Sequence, residues 1–143
     1  MRPSVFSLFL LACIFTTACS QQEKAGDING AVRALCKASS LNDWKRLYTK
    51  ETVRVIDGAL RSGAIEKGSE IHYLLPMGDG VEYMSDYLMK KNDEARLRLT
   101  VVRHPRENMR GASLDVPVVL EDGVWRFNLA AEIRNGLKNR GNR

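Results

Sequence analysis

Apolar residues recur along this chain in three rhythms. Residues 5–15 form an almost unbroken apolar run, Val5-Phe6-Ser7-Leu8-Phe9-Leu10-Leu11-Ala12-Cys13-Ile14-Phe15. After residue 27 the spacing becomes helical. Val32, Leu35, Cys36 and Ser39 fall at i, i+3, i+4 and i+7 behind Asp27, whose short carboxylate side chain suits a helix N-cap. Ser40 and Asn42 interrupt this stripe, and Asn42 opens a second turn carrying Trp44, Leu47 and Tyr48. Thr49 starts a third helix with Val53, Ile56 and Leu60 on one face, and Gly63 ends it. Residues 71–75 fit a short strand stopped by Pro76. Asp79-Gly80-Val81-Glu82 has the acceptor and acid of a capping box, predicting a helix to about residue 92 that buries Val81, Met84 and Leu88, with Tyr83 and Tyr87 along its flank.

Beyond residue 95 the period shortens to two. Leu97, Leu99 and Val101 alternate with Arg96, Arg98, Thr100 and Val102; after a polar loop at 104–110, Ala112, Leu114, Val116, Val118 and Leu120 alternate with Ser113, Asp115, Pro117 and Val119. Asp122-Gly123 is a two-residue hairpin signal. It predicts that Leu120 pairs with Trp125, Val118 with Phe127 and Val116 with Leu129, all on one face, so turn chemistry and apolar pattern select the same register. Pro117 donates no ladder bond, which places its amide side outward or at an edge. A short helix at 131–137 closes the chain. Helices first and antiparallel strands after them predict an α+β fold: N-terminal helices packed on a curved antiparallel sheet, with a β-hairpin towards the C-terminus.

The apolar run at 5–15 is shorter than the roughly 20 residues of a membrane span and matches the core of an export signal. Arg2 precedes it; small residues, a cysteine and the polar stretch Ser20-Gln21-Gln22-Glu23-Lys24 follow. This resembles a bacterial lipoprotein signal peptide over residues 1–18, with a lipidated tether at 19–27. Leu10-Leu11-Ala12-Cys13 is the better match in residue pattern, but cleavage there leaves Ile14-Phe15 at the mature end. Thr16-Thr17-Ala18-Cys19 sits directly before the polar tether, so Cys19 is the favoured lipidated residue. An ordinary secretory signal cut after Ala18 is the alternative. A diacylglycerol thioether plus an amide-linked chain such as palmitate anchors a protein stably, where one chain anchors only marginally. In lipoproteins of this kind, Ser after the cysteine resembles the pattern sorted to the outer membrane, on its periplasmic face.

The remaining chain fits one domain, residues 28–137, followed by a basic tail at 138–143 that is expected to fray. With Cys19 acylated, Cys36 is the one mature thiol, so no disulfide framework is expected; a buried, inert cysteine is the ordinary reading. The formal charge is +5 and the pI about 9.3. In an exported protein this basicity points away from nucleic acid and towards anionic lipid head groups, lipopolysaccharide or peptidoglycan carboxylates, or simply towards a solvated surface.

The helices bearing Ala34-Leu35 and Asn42-Asp43-Trp44-Lys45-Arg46-Leu47-Tyr48, followed by Val116-Pro117-Val118-Val119-Leu120-Glu121-Asp122-Gly123-Val124-Trp125-Arg126-Phe127, resemble the nuclear-transport-factor-like (ketosteroid-isomerase-like, cystatin-like) superfamily. Small bacterial lipoproteins of that fold are the nearest comparison. The resemblance implies a cone: a curved sheet wrapped around a helix, leaving a pocket lined here by Trp44, Tyr48, Leu99, Leu114, Val116, Trp125 and Phe127. It does not select an activity, because that fold hosts isomerases, dehydratases, transport factors and binding modules.

The chemistry of the residues narrows this. None of the strand positions assigned inward is titratable; Asp115 alternates to the opposite face from Leu114 and Val116. His104 lies in the polar loop and His72 in the stretch at 64–77 that includes the expected short strand. No spacing of His and Cys suggests a metal site, and no phosphate loop, dinucleotide fingerprint or serine triad is present. No cofactor is expected. Trp44 and Trp125 are read as core plugs, with sugar stacking as the functional alternative. The sequence therefore favours a lipid-anchored envelope protein whose domain binds a hydrophobic small molecule or an envelope protein without catalysis, with homodimerisation through the exposed sheet face as a further expectation. A hydratase or isomerase would need a group on a helix or loop, Tyr48, His72 or Tyr83. An assembly or immunity factor is the third class.

Replacing Cys19 with Ser should abolish metabolic labelling by radioactive palmitate. Undiminished labelling of that variant would move the anchor to Cys13.

Overall fold

A computed structural model describes residues 27–38 and 43–141. The expected signal peptide at 1–18, Cys13, Cys19 and the expected cap Asn42 lie outside the described residues. Among the described residues, four α-helices and one four-stranded antiparallel sheet make the fold α+β: α1 Ile28–Lys37, α2 Trp44–Leu47, α3 Lys50–Arg61, β1 Glu82–Lys91, β2 Glu94–Arg103, β3 Ser113–Glu121, β4 Val124–Phe127 and α4 Ala130–Gly141. The sheet order is β1-β2-β3-β4.

Local chemistry starts the first helices where the sequence suggests. The Asp27 carboxylate accepts from the Asn29 N–H at 3.2 Å, and Ile28, Val32 and Leu35 are buried. Thr49 caps α3, its hydroxyl accepting from the Thr52 N–H. Gly63 follows that helix at φ +74°, a left-handed conformation that glycine adopts without steric penalty.

The strands at the centre of the sheet follow the alternation. Leu97, Leu99 and Val101 are fully buried, while Arg96, Arg98 and Val102 are exposed. Across Asp122-Gly123, both at positive φ, Leu120 pairs with Trp125 and Val118 with Phe127. The expected third pair, Val116 with Leu129, does not form. β4 ends at Phe127, Asn128 N–H gives a last bond to the Pro117 carbonyl (2.9 Å), and Leu129 turns away to donate to Thr52 Oγ1 (3.0 Å). Pro117 thus lacks its N–H where β4 has already stopped. Leu114, expected inward, is 39% exposed at the start of β3.

Two predicted elements are different in the structure. Residues 71–75 are not a strand: Glu70–Tyr73 form a single 3-10 turn, and Leu74 and Leu75 then run extended into the core. The helix predicted from Val81 to about residue 92 is β1. The reason lies in β2, whose apolar alternation makes it a central strand and whose backbone needs a partner along its length. Asn92 adopts φ +48° and lets Lys91 pair with Glu94 across a two-residue turn. Helical spacing at Val81, Met84 and Leu88 loses to this pairing. A register shift between Tyr87 and Met89 leaves Leu88 unpaired; Val81 is buried as expected, Met84 and Leu88 are exposed instead of buried, and Tyr87 and Met89 are exposed beside them.

The sheet curls. Helix α1 touches both edge strands, β1 and β4, and Lys90 of β1 places its ammonium 6.0 Å from the Trp125 ring of β4. The concave side is filled by Trp44, Tyr48, Phe127, Leu97, Leu99, Val116 and Val118, with Val32 and Leu35 of α1. Trp44 and Phe127 flank the Tyr48 ring at centroid distances of 6.1 and 5.9 Å. The final helix runs on through Gly141, and Arg140 within it donates to the Tyr73 hydroxyl and covers that ring.

One polar junction is buried in this core. Thr49 and Thr52 are 3% and 0% exposed, with their hydroxyls 3.0 Å apart. Thr49 N–H donates to the Phe127 carbonyl at 3.0 Å, and Asn128 Oδ1 lies 3.4 Å from both hydroxyls. Thr52→Val removes the acceptor of the Leu129 N–H while keeping the shape. It should lower unfolding free energy by about 1–3 kcal/mol in urea titrations, whereas Thr52→Ser should stay close to the parent.

Candidate functional site

With the concave side packed, open space is found around its rim. A groove of about 520 Å³ lies between α1, α2 and β4. Its apolar surface comes from Ala31, Ala34, Leu47, Val124 and Trp125; four basic residues, Arg33, Lys37, Arg46 and Arg126, line it against one acid, Asp27. The opening exists because α1 presents Gly30, Ala31 and Ala34 beside its core stripe, too small to reach Trp125 and Leu47.

The four cations are held differently. Arg33 reaches Asp27 at 3.5 Å and Arg46 pairs with Asp43 at 2.9 Å. Arg126 donates to the Arg46 carbonyl and lies 3.5 Å from Glu121, which fixes α2 to β4 along the groove wall. Lys37 has no ion pair among the described residues, and Lys90 stands over Trp125 with none. The groove therefore carries an excess of positive charge beside an apolar floor.

A second groove, of about 570 Å³, is bounded by the segment 71–77, the 104–109 loop, β3 and α4. Both histidines, His72 and His104, lie on it with Asp115 and Glu132, a convergence that the sequence spacing did not show. The groups are already engaged in part. His104 Nδ1 accepts from the Arg106 N–H at 2.9 Å, and Asp115 holds Arg98 through two bonds of 2.8 and 3.0 Å on the exposed sheet face. The Arg98 guanidinium holds the Asp115 carboxyl below the usual carboxylate range, so it stays ionised and paired. No group of three or more His, Cys, Asp or Glu among the described residues is placed to hold a metal ion.

The residues expected to line one pocket are divided among three places. Trp125 lines the first groove; Leu114 and Val116 line the second; Trp44, Tyr48, Leu99 and Phe127 belong to the packed core and line neither. Tyr48 and the two aromatic rings that flank it are buried together in the core. Lys37, Arg46 and Ala34, which sequence reasoning did not bring to a site, become neighbours only when α1 and α2 pack beside β4.

Tyr48 and Tyr83, two of the groups considered for acid–base work, are tied to backbone. The Tyr48 hydroxyl accepts from the Leu75 N–H at 3.0 Å, and Tyr83 donates to the Pro76 carbonyl at 2.6 Å. Burial moves both phenols well above their ordinary value of 10.0, away from neutral pH. Cys36 is half-buried, and burial likewise pushes its thiol up, which leaves less of the nucleophilic thiolate. His72 is exposed on the second groove.

Comparison with protein-family models, curated proteins and solved structures finds no match for this chain.

The two tyrosines predict a pH dependence. A phenol whose pKa is raised on folding stays protonated in the native state after the unfolded chain has begun to ionise. Its contribution is complete below the unfolded value of 10.0 and declines as pH rises above it. Stability measured by thermal melting should fall between pH 10 and 12, and Tyr48→Phe should flatten that decline while costing about 1–2 kcal/mol at pH 7. An unchanged alkaline slope would contradict the burial argument.

Proposed function

We propose that this protein is a lipid-anchored envelope protein, held through Cys19 on the periplasmic face of the outer membrane, whose domain binds a hydrophobic small molecule without transforming it. The binding place is the groove between α1, α2 and β4. The observation that carries this reading is the groove's composition: an apolar floor built on Trp125, Leu47, Ala31 and Ala34, lined among the described residues by one carboxylate, Asp27, which serves as a helix cap. Ligand pockets are mostly apolar with few placed polar groups, and the volume of about 520 Å³ falls in their usual range.

The position of the groove supports the anchor reading as well. Asp27 lines it and is also where the tether from Cys19 joins the domain. A tether of that length reaches at most about 30 Å, which keeps the groove near the lipid surface. The curl of the sheet around α1 supports the cone-like, nuclear-transport-factor-like architecture, in a version whose interior is filled and whose ligand space has moved to the rim.

Ala34→Trp places a large ring in the groove on a half-buried, solvent-side helix position. It should abolish binding of an apolar fluorescent probe such as 1-anilinonaphthalene-8-sulfonate, with the urea midpoint little changed. Equal probe binding by parent and variant would remove the groove from the reading.

A further inference from the structure

We infer that the ligand of this groove is a single-chain anionic amphiphile, an acyl chain ending in a carboxylate or phosphate, and that Lys37 receives its head. The inference rests on the ligand-binding reading above and adds the charge and shape of what binds.

The charge distribution is the starting point. Three of the four cations lining the groove have a carboxylate within 3.5 Å: Arg33 has Asp27, Arg46 has Asp43, and Arg126 has Glu121. Lys37 has none among the described residues, and it stands about one turn along α1 from Arg33 and Ala34, lining the same groove. It also lies in the last turn of that helix and is exposed to solvent. An anion arriving here meets a partner whose charge is uncompensated, beside two guanidiniums that are only partly neutralised.

The apolar side decides the rest of the ligand. Ala31, Ala34, Leu47, Val124 and Trp125 supply the apolar surface of the groove that Lys37 also lines. Val124 is 46% exposed, an apolar residue left uncovered at the rim. A free inorganic anion would leave this floor wet; a neutral hydrocarbon would leave Lys37 without a counter-charge. An amphiphile satisfies both, with its chain on the floor and its head against the ammonium. The groove's volume of about 520 Å³ is that of a small-molecule pocket, and a single chain is the occupant proposed for it. Charge-assisted hydrogen bonds to an ammonium are the stronger kind and add to the burial of the chain.

The test uses the mature chain carrying Cys19→Ser, kept in solution without detergent, and isothermal titration below the micelle concentration. Decanoate, decanol and decyltrimethylammonium are compared at low salt. Decanoate should bind about tenfold or more tightly than decanol, and the cation should bind least, since one charge-assisted contact carries roughly that factor. Lys37→Glu should erase the preference for decanoate while leaving decanol binding intact; Lys37 is exposed, so the variant keeps the fold, which thermal melting verifies. Ala34→Trp should remove both. Equal affinity for decanoate and decanol overturns the anionic head and leaves the apolar-ligand reading standing. Absence of binding by either overturns that reading too. A preference for decanoate that survives Lys37→Glu, or binding only to vesicles of anionic phospholipid, overturns the assignment of a single-chain ligand to this groove.

Discussion

The structure turns on the buried hydroxyl junction between the start of α3 and the end of β4. Thr49 Oγ1 caps α3, Thr52 Oγ1 accepts the Leu129 N–H, and Thr49 N–H closes on the Phe127 carbonyl. These bonds satisfy backbone groups that would otherwise be buried without partners, at a cost of a few kcal/mol each. They also fix two directions. The chain before Thr49 must lay Tyr48 against Phe127, and the chain after Phe127 must leave the sheet and enter α4. Because Tyr48 is committed there, the concave side of the sheet fills with aromatic rings, and the open volume is displaced to the rim.

The surface around α3 reinforces the same junction. Lys50 N–H donates to the Glu121 carboxylate and Lys50 Nζ reaches Asp122 at 2.6 Å, so the turn between β3 and β4 is tied to the N-terminus of α3. Glu121 also faces Arg126, whose guanidinium holds the Arg46 carbonyl. A single line of contacts thus runs from the helix cap through the turn to the wall of the groove. Exposed pairs of this kind contribute little stability singly; their effect is to orient Arg126 and α2 against β4.

Much of this was legible in the sequence where two signals agreed. Asp27 and Thr49 announced their helices through cap chemistry, and Asp122-Gly123 together with the alternation from Val116 to Phe127 set two of the three expected pairs. Residues 82–91 were illegible because Val81, Met84 and Leu88 keep a helical spacing, whereas along an extended chain they do not all share one face. The decisive influence was long-range, the unpaired edge of β2, and Asn92-Asp93 was the local trace of it. The groove was hidden for a related reason. Ala34, Lys37, Arg46 and Trp125 come from three elements, and small residues on a helix flank carry no periodic signal until the neighbour that fails to touch them is known.

The filled interior and the open rim are best separated by amide and methyl chemical-shift mapping of the protein titrated with a ten-carbon carboxylate. Saturable shifts concentrated at Gly30, Ala31, Ala34, Lys37 and the Trp125 indole, with Tyr48, Leu99 and Phe127 unmoved, are expected. Shifts centred on Tyr48, Leu99 and Val116 instead would mean that the cone is hollow and that the rim groove is not where the ligand sits.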